Sequence, residues 1–180
     1  MLKGSIKILN LKDIGCYDEL PETSATIRGN AIQKAGYVFE KYGMNCFADD
    51  TGLEIDELNG RPGVYSSRFA GVHATDEENV AKALQEMKGM ENRKARFKTI
   101  IALFTSREQK CFEGVIHGVI VDEPKGSGGF GYDAVFMPAE CDLTFAEMSA
   151  EAKNKISHRS LAIRKLIEYL DLTDILQKKY

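Results

Sequence analysis

Ala48-Asp49-Asp50-Thr51-Gly52-Leu53-Glu54-Ile55 decides how the centre of this chain is read. It runs from an apolar residue into two adjacent carboxylates, then a Thr-Gly pair, then alternating apolar and acidic residues. The pattern predicts two short strands, 45–48 and 52–58, with the aspartates where the first strand ends and the chain turns. Successive strand residues point to opposite faces, so the two carboxylates are expected to do different jobs. A carboxylate at such a bend can hold a hard cation or take a proton from water. Asp, Thr and Gly are equally the residues of a solvated turn, and both readings stay open on this segment alone.

Outward from that segment the chain reads as alternating helices and strands. Residues 5–10 alternate well enough for a short strand. Thr23 is a plausible N-cap for a helix to Tyr42, with Gly43 as its stop. Ile27, Ala31, Ala35, Val38, Phe39 and Tyr42 form its apolar stripe. A turn at 59–63 is followed by a helix over 75–88 with Val80, Ala83, Leu84 and Met87 on one side. Residues 95–105 and 110–121 predict two long strands joined by a polar turn. A glycine-rich run over 126–131, a short apolar run through Val135 and Phe136, and a helix starting near Ser157 complete the pattern. The expected fold is α/β, a mixed central β-sheet flanked by helices.

Composition narrows the function classes. The 180 residues suit one domain with a real core, and 43% hydrophobic with 28% charged residues is ordinary for a soluble protein. Net charge is −3 with no basic run, which argues against a nucleic-acid partner. Cys16, Cys46, Cys111 and Cys141 show no CxxC spacing, so reduced thiols in a cytoplasmic setting are expected. No signal-peptide core or long apolar span is present, so no membrane partner is expected.

Several residues could carry chemistry. Lys34 flanks the apolar stripe of its helix, where it can snorkel to water or aim a cation into a cleft. Glu22 is a helix-dipole partner or a metal ligand. Gly126 to Gly131 match GxGxxG by spacing, but no strand-turn-helix surrounds them, so a dinucleotide fold is rejected. What remains is a flexible backbone bearing Phe130, Tyr132 and Asp133, suited to stacking on a base or to packing inward. Lys153, Ser157, His158 and Arg159 gather donors at a helix start, where cations oppose the helix dipole. His73 and His117 are isolated.

Together these segments resemble the inosine triphosphate pyrophosphatase family. The matching pieces are Pro21-Glu22-Thr23, Asn30-Ala31, Lys34-Ala35 and the 48–53 segment. They continue through 60–68, the 128–133 segment, and Lys153 with Ser157-His158-Arg159. The resemblance implies Mg²⁺-dependent hydrolysis of non-standard purine nucleoside triphosphates (ITP, dITP, XTP) to the monophosphate and pyrophosphate. It implies a nucleotide cleft between two lobes and a homodimer. Carried over residue by residue, Asp50 is the base that activates water, and Glu22, Asp49 and Asp50 hold the metal. Lys34 contacts the triphosphate and Phe130 stacks on the purine. Thr51, Arg68, Gly131, Tyr132, Asp133, Lys153, Ser157, His158 and Arg159 are the remaining substrate contacts.

One departure accompanies this resemblance. Family members open with a strand, a Thr/Ser-x-Asn-x-x-Lys loop and a helix ahead of the strand read here at 6–9, where this chain has only Met1 to Gly4. The expectation is a single pyrophosphatase domain over 1–180 lacking that strand, loop and most of that helix. It keeps an alternative open, a catalytically impaired nucleotide-binding or interaction protein of the same fold. A pyrophosphatase for modified pyrimidines is a weaker reading, opposed by Ser157-His158-Arg159.

Overall fold

The computed structural model of the protein describes residues 7–173. Four strands, β1 (Cys46–Ile55), β2 (Lys94–Phe104), β3 (Gln109–Ile120) and β4 (Phe136–Pro138), form one sheet in the order β1-β2-β3-β4. Every pairing among them is antiparallel. Helices α1 (Ile27–Tyr42), α2 (Asp76–Glu86), α3 (Ala150–Ile156) and α4 (His158–Leu172) flank it. None of the described helices is long and apolar enough to cross a membrane.

The aspartate pair lies inside a strand and not at a turn. β1 runs unbroken through Asp49, Asp50, Thr51 and Gly52, and it pairs residue by residue with β2 from Cys46↔Phe104 to Ile55↔Ala95. A turn there would strip backbone groups of the partners that the ladder supplies. The Thr-Gly pair that suggested the turn has another use. A Cβ on Gly52 would come within 2.5 Å of the Gly63 carbonyl oxygen, so glycine here admits the Gly63–Arg68 3-10 turn against β1. β1 stops at Ile55, and Asp56–Leu58 continues as a 3-10 turn instead of strand.

Two helices sandwich the sheet, and neighbouring β2 residues face different ones. Ile100, Ala102 and Phe104 pack with Ile27, Ala31 and Ala35 of α1. Ile101 and Leu103 pack with Phe112 and with Ala162 and Leu166 of α4. A third cluster joins Leu53, Ile55 and Phe97 to Val80, Ala83 and Met87 at α2 and to Phe136 and Phe145 beyond it.

Other boundaries shift for local reasons. The N-cap of α1 is Thr26, not Thr23, because the extended Thr26 accepts from the Gly29 amide at 3.0 Å. Thr23 instead exchanges hydrogen bonds with Gln33. Of the strand expected at 5–10, residues 5 and 6 lie outside the described residues and 7–10 form no strand. Thr75 caps α2 in a full capping box with Glu78. Ser157 closes α3 and caps α4, accepting from the Ser160 amide.

Gly114 sets the seating of α4. A Cβ there would lie 2.0 Å from the His158 carbonyl oxygen and 2.6 Å from the Ala162 nitrogen. Both are backbone atoms, so no rotamer change relieves the overlap. Gly114→Ala is therefore expected to destabilise the fold by about 1–3 kcal/mol, the range for overpacking. Urea denaturation reads this directly, and a loss below about 0.5 kcal/mol would refute the close approach.

Candidate active site

Because side chains alternate along β1, Asp50 leaves the strand toward α1 and Asp49 toward α4. On the α1 side, the Lys34 ammonium reaches Asp50 Oδ1 at 2.9 Å and Glu22 Oε1 at 2.7 Å. Lys34 is nearly enclosed, its side chain 13% exposed, and that of Asp50 is 11% exposed. Burial pushes the Asp50 pKa up and Glu22 adds to the rise, with the Lys34 contact opposing both. Burial works against the charge on Lys34, yet its hydrogen bonds to Glu22 and Asp50 outweigh it and the pKa rises. A charged lysine and a carboxylate with raised proton affinity thus sit side by side.

On the α4 side, Arg159 Nε and Nη2 both lie 3.2 Å from Asp49 Oδ2. His158, one residue earlier, is buried and stacks on Phe97 at 4.6 Å and 15° between ring planes. Its Nδ1 is buried with no hydrogen-bond partner among the described residues, a costly arrangement. Thr51 shares this face and hydrogen-bonds Thr99 at 2.7 Å.

The glycine run forms the facing wall. Gly129 and Gly131 both adopt positive φ, and a Cβ on Gly129 would strike the Asp133 carboxylate at 2.0 Å. Asp133 is buried, accepts from the Phe130 amide at 2.9 Å and pairs with Lys153. The Phe130 ring is left 63% exposed, with Lys153 Nζ 4.8 Å and Arg159 Cζ 5.8 Å from its centroid. Tyr132 is buried and donates its hydroxyl to the Ser66 carbonyl.

All these walls border one cleft of about 830 Å³, a size suited to a small-molecule ligand. Of the residues expected from sequence, Glu22, Lys34, Asp49, Asp50, Thr51, Phe130, Gly131, Tyr132, Asp133, Lys153, Ser157, His158 and Arg159 line it. Arg68 does not; its guanidinium lies over the Tyr65 ring at 5.3 Å. The hydroxyls of Tyr132 and Ser157 are engaged by protein partners. Ser66, from the matching 60–68 segment, also lines the cleft, as do Asp76 and Phe97, which only long-range folding brings there.

The Ham1 family model matches residues 1–169 of the sequence. This chain belongs to the Ham1 family. A relative from Flavobacterium johnsoniae, named dITP/XTP pyrophosphatase, is 50% identical over 173 residues, covering 96% of this chain and 90% of its own length. One of the same name from Bacillus subtilis is 44% identical over 167 residues, covering 91% and 84%. The structure of the Staphylococcus aureus Ham1 protein superposes with a TM-score of 0.84 at 38% identity, covering 86% of this chain and 81% of that one. A Mycobacterium abscessus nucleoside-triphosphatase / dITP/XTP pyrophosphatase gives 0.79 at 38% identity, covering 91% and 87%.

The Ham1-family cleft can be tested for a metal. No group of three or more His, Cys, Asp or Glu residues is gathered among the described residues. The three carboxylates expected as ligands divide, because Asp49 faces α4 and is held by Arg159. Glu22 and Asp50 do converge, each presenting an anionic oxygen to the point where the Lys34 ammonium lies. Magnesium asks for one or two carboxylates and completes its shell with water and phosphate oxygens. That pair fits it.

Burial, then the charges of Arg159 and Lys153, pushes the His158 pKa down from 6.5 to about 3. Between those values the unfolded chain binds a proton that the folded chain refuses. Stability should therefore fall as pH drops from 6.5 toward 3, at up to about 1.4 kcal/mol per pH unit from this group. Chemical denaturation at pH 7 and pH 5 should show a shallower loss in His158→Phe, which keeps a ring on Phe97. Equal losses in the two proteins would remove His158 as the cause.

Proposed function

We propose that this Ham1-family chain hydrolyses the non-standard purine nucleoside triphosphates ITP, dITP and XTP to the monophosphate and pyrophosphate. One observation carries this reading: the Glu22–Lys34–Asp50 cluster and the aromatic, donor-rich wall of Phe130, His158 and Arg159 border the same cleft. The relatives named dITP/XTP pyrophosphatase support it.

The triphosphate lies on the α1 side, where Lys34 offsets its charge. Asp50 accepts a proton from the attacking water, the part of a general base. The bond between the α- and β-phosphates breaks and pyrophosphate leaves. Glu22 and Asp50 are the residues that would hold magnesium, which supplies charge neutralisation at the phosphate oxygens. Asp49 is assigned to Arg159 rather than to the metal.

The base lies on the α4 side against the Phe130 ring, which is exposed to receive it. Arg159 can only donate hydrogen bonds, and neutral His158 offers one donor and one acceptor nitrogen. Donors directed at a 6-keto oxygen accept hypoxanthine and xanthine. A 6-amino group would meet donor with donor and leave buried groups unpaired, a penalty that reaches factors on the order of 10⁴. Gly131 and Tyr132 shape the loop, Lys153 and Asp133 support the stacking ring, and Ser157 fixes the start of α4. A homodimer belongs to the same reading, and light scattering in solution checks it.

Pyrophosphate release with magnesium is the test. ITP, dITP and XTP should turn over and ATP should lag by orders of magnitude; no turnover of the inosine and xanthosine substrates would sink the assignment, and equal rates on ATP would refute the 6-keto filter. Asp50→Asn should lower kcat by about 10²–10⁴-fold with nucleotide binding retained. Near-normal turnover in the Asn variant would remove Asp50 from this role.

A further inference from the structure

Asp76 is the first residue of α2, where a carboxylate ordinarily serves the helix dipole. The cap does not need it. Thr75 and Glu78 already satisfy the helix start as a reciprocal box, with bonds of 3.2 and 2.8 Å. Asp76 Oδ2 instead accepts from the Gly131 amide at 2.6 Å, across 55 residues of chain. Asn79, one turn further along α2, holds the segment below by accepting from the Ala70 amide and donating to the Ser67 carbonyl.

That bond completes a pair. Phe130 and Gly131 present successive backbone amides, and each is held by a different carboxylate: Asp133 takes the first and Asp76 the second. Asp133 belongs to the loop itself and is tied to α3 through Lys153. Asp76 stands on a helix packed into the core through Val80 and Ala83. The loop needs such an anchor because Gly129 and Gly131 give its backbone two points of positive φ. Between them sits the one exposed aromatic ring of the cleft wall.

We propose that Asp76 is a positioning residue that latches the glycine loop to α2 and so holds the Phe130 ring where the purine stacks. The inference rests on the function proposed above. It adds that grip on the base is set partly by a carboxylate on α2 that need not touch the nucleotide. Charge strengthens such a bond to a backbone amide, so asparagine should replace it only in part.

Amide hydrogen exchange in the nucleotide-free protein, together with dITP kinetics, tests it. Asp76→Ala should speed exchange at Gly131 by about tenfold and raise KM by about tenfold with kcat within about twofold. Asp76→Asn should fall between. In a Phe130→Ala background the effect of Asp76→Ala on KM should shrink to below about twofold, since the two act through one ring. Unchanged exchange at Gly131, a loss confined to kcat, or a KM effect that persists in full without Phe130 would each overturn the latch. Exchange is read without substrate. Failure of the unaltered protein to hydrolyse dITP and XTP would therefore count against the functional reading, separately from Asp76.

Discussion

Consecutive side chains on a paired strand must leave it in opposite directions, and the layout of this cleft follows from that constraint acting on Asp49 and Asp50. The ladder to β2 pins both residues, opposite Ile101 and Ile100. Those isoleucines pack against α4 and α1 respectively, so the helix each aspartate meets is fixed by the core beneath it. Asp50 thereby meets Lys34, and Asp49 meets Arg159. One strand joins two chemically different ends of a site.

Electrostatics then separates those ends further. On the α1 side a nearly enclosed lysine bridges two carboxylates, and such a cluster is held together by mutual charge that bulk water would largely screen. On the α4 side lie aromatic rings and two ion pairs, Asp49 with Arg159 and Asp133 with Lys153, and His158 is kept neutral by burial beside Phe97. The exposed stacking surface is at the end where a base would lie. The glycine wall contributes to the second end through Phe130, supported by the Asp133–Lys153 pair.

Much of this was legible in sequence. The apolar stripe of α1, the apolar side of the helix over 75–88 and the two long strands of the β2–β3 hairpin are local signals, and each formed close to where the pattern placed it. β1 was misread because Thr-Gly is turn chemistry in isolation, whereas here the glycine is required by the backbone packed against it. Helix α3 was missed because Ala-Glu-Ala-Lys-Asn-Lys-Ile carries almost no apolar periodicity. The opposed directions of Asp49 and Asp50 were readable from strand alternation. Their partners were not, since Lys34 and Arg159 are brought in by helix packing that no local pattern encodes. Asp76 was invisible for the same reason.

Gly114 has a consequence beyond packing. Its missing side chain brings the backbone of α4 down onto β3 at the very turn that carries His158 and Arg159. The residues that would select the base are thus seated on the same sheet that carries the carboxylate and cannot loosen without opening the core around Ala162 and Leu166. A protein that hydrolysed triphosphates while its base filter had come undone would endanger ordinary nucleotides. Under the proposed function, loosening that turn would cost fold stability as well as base selection.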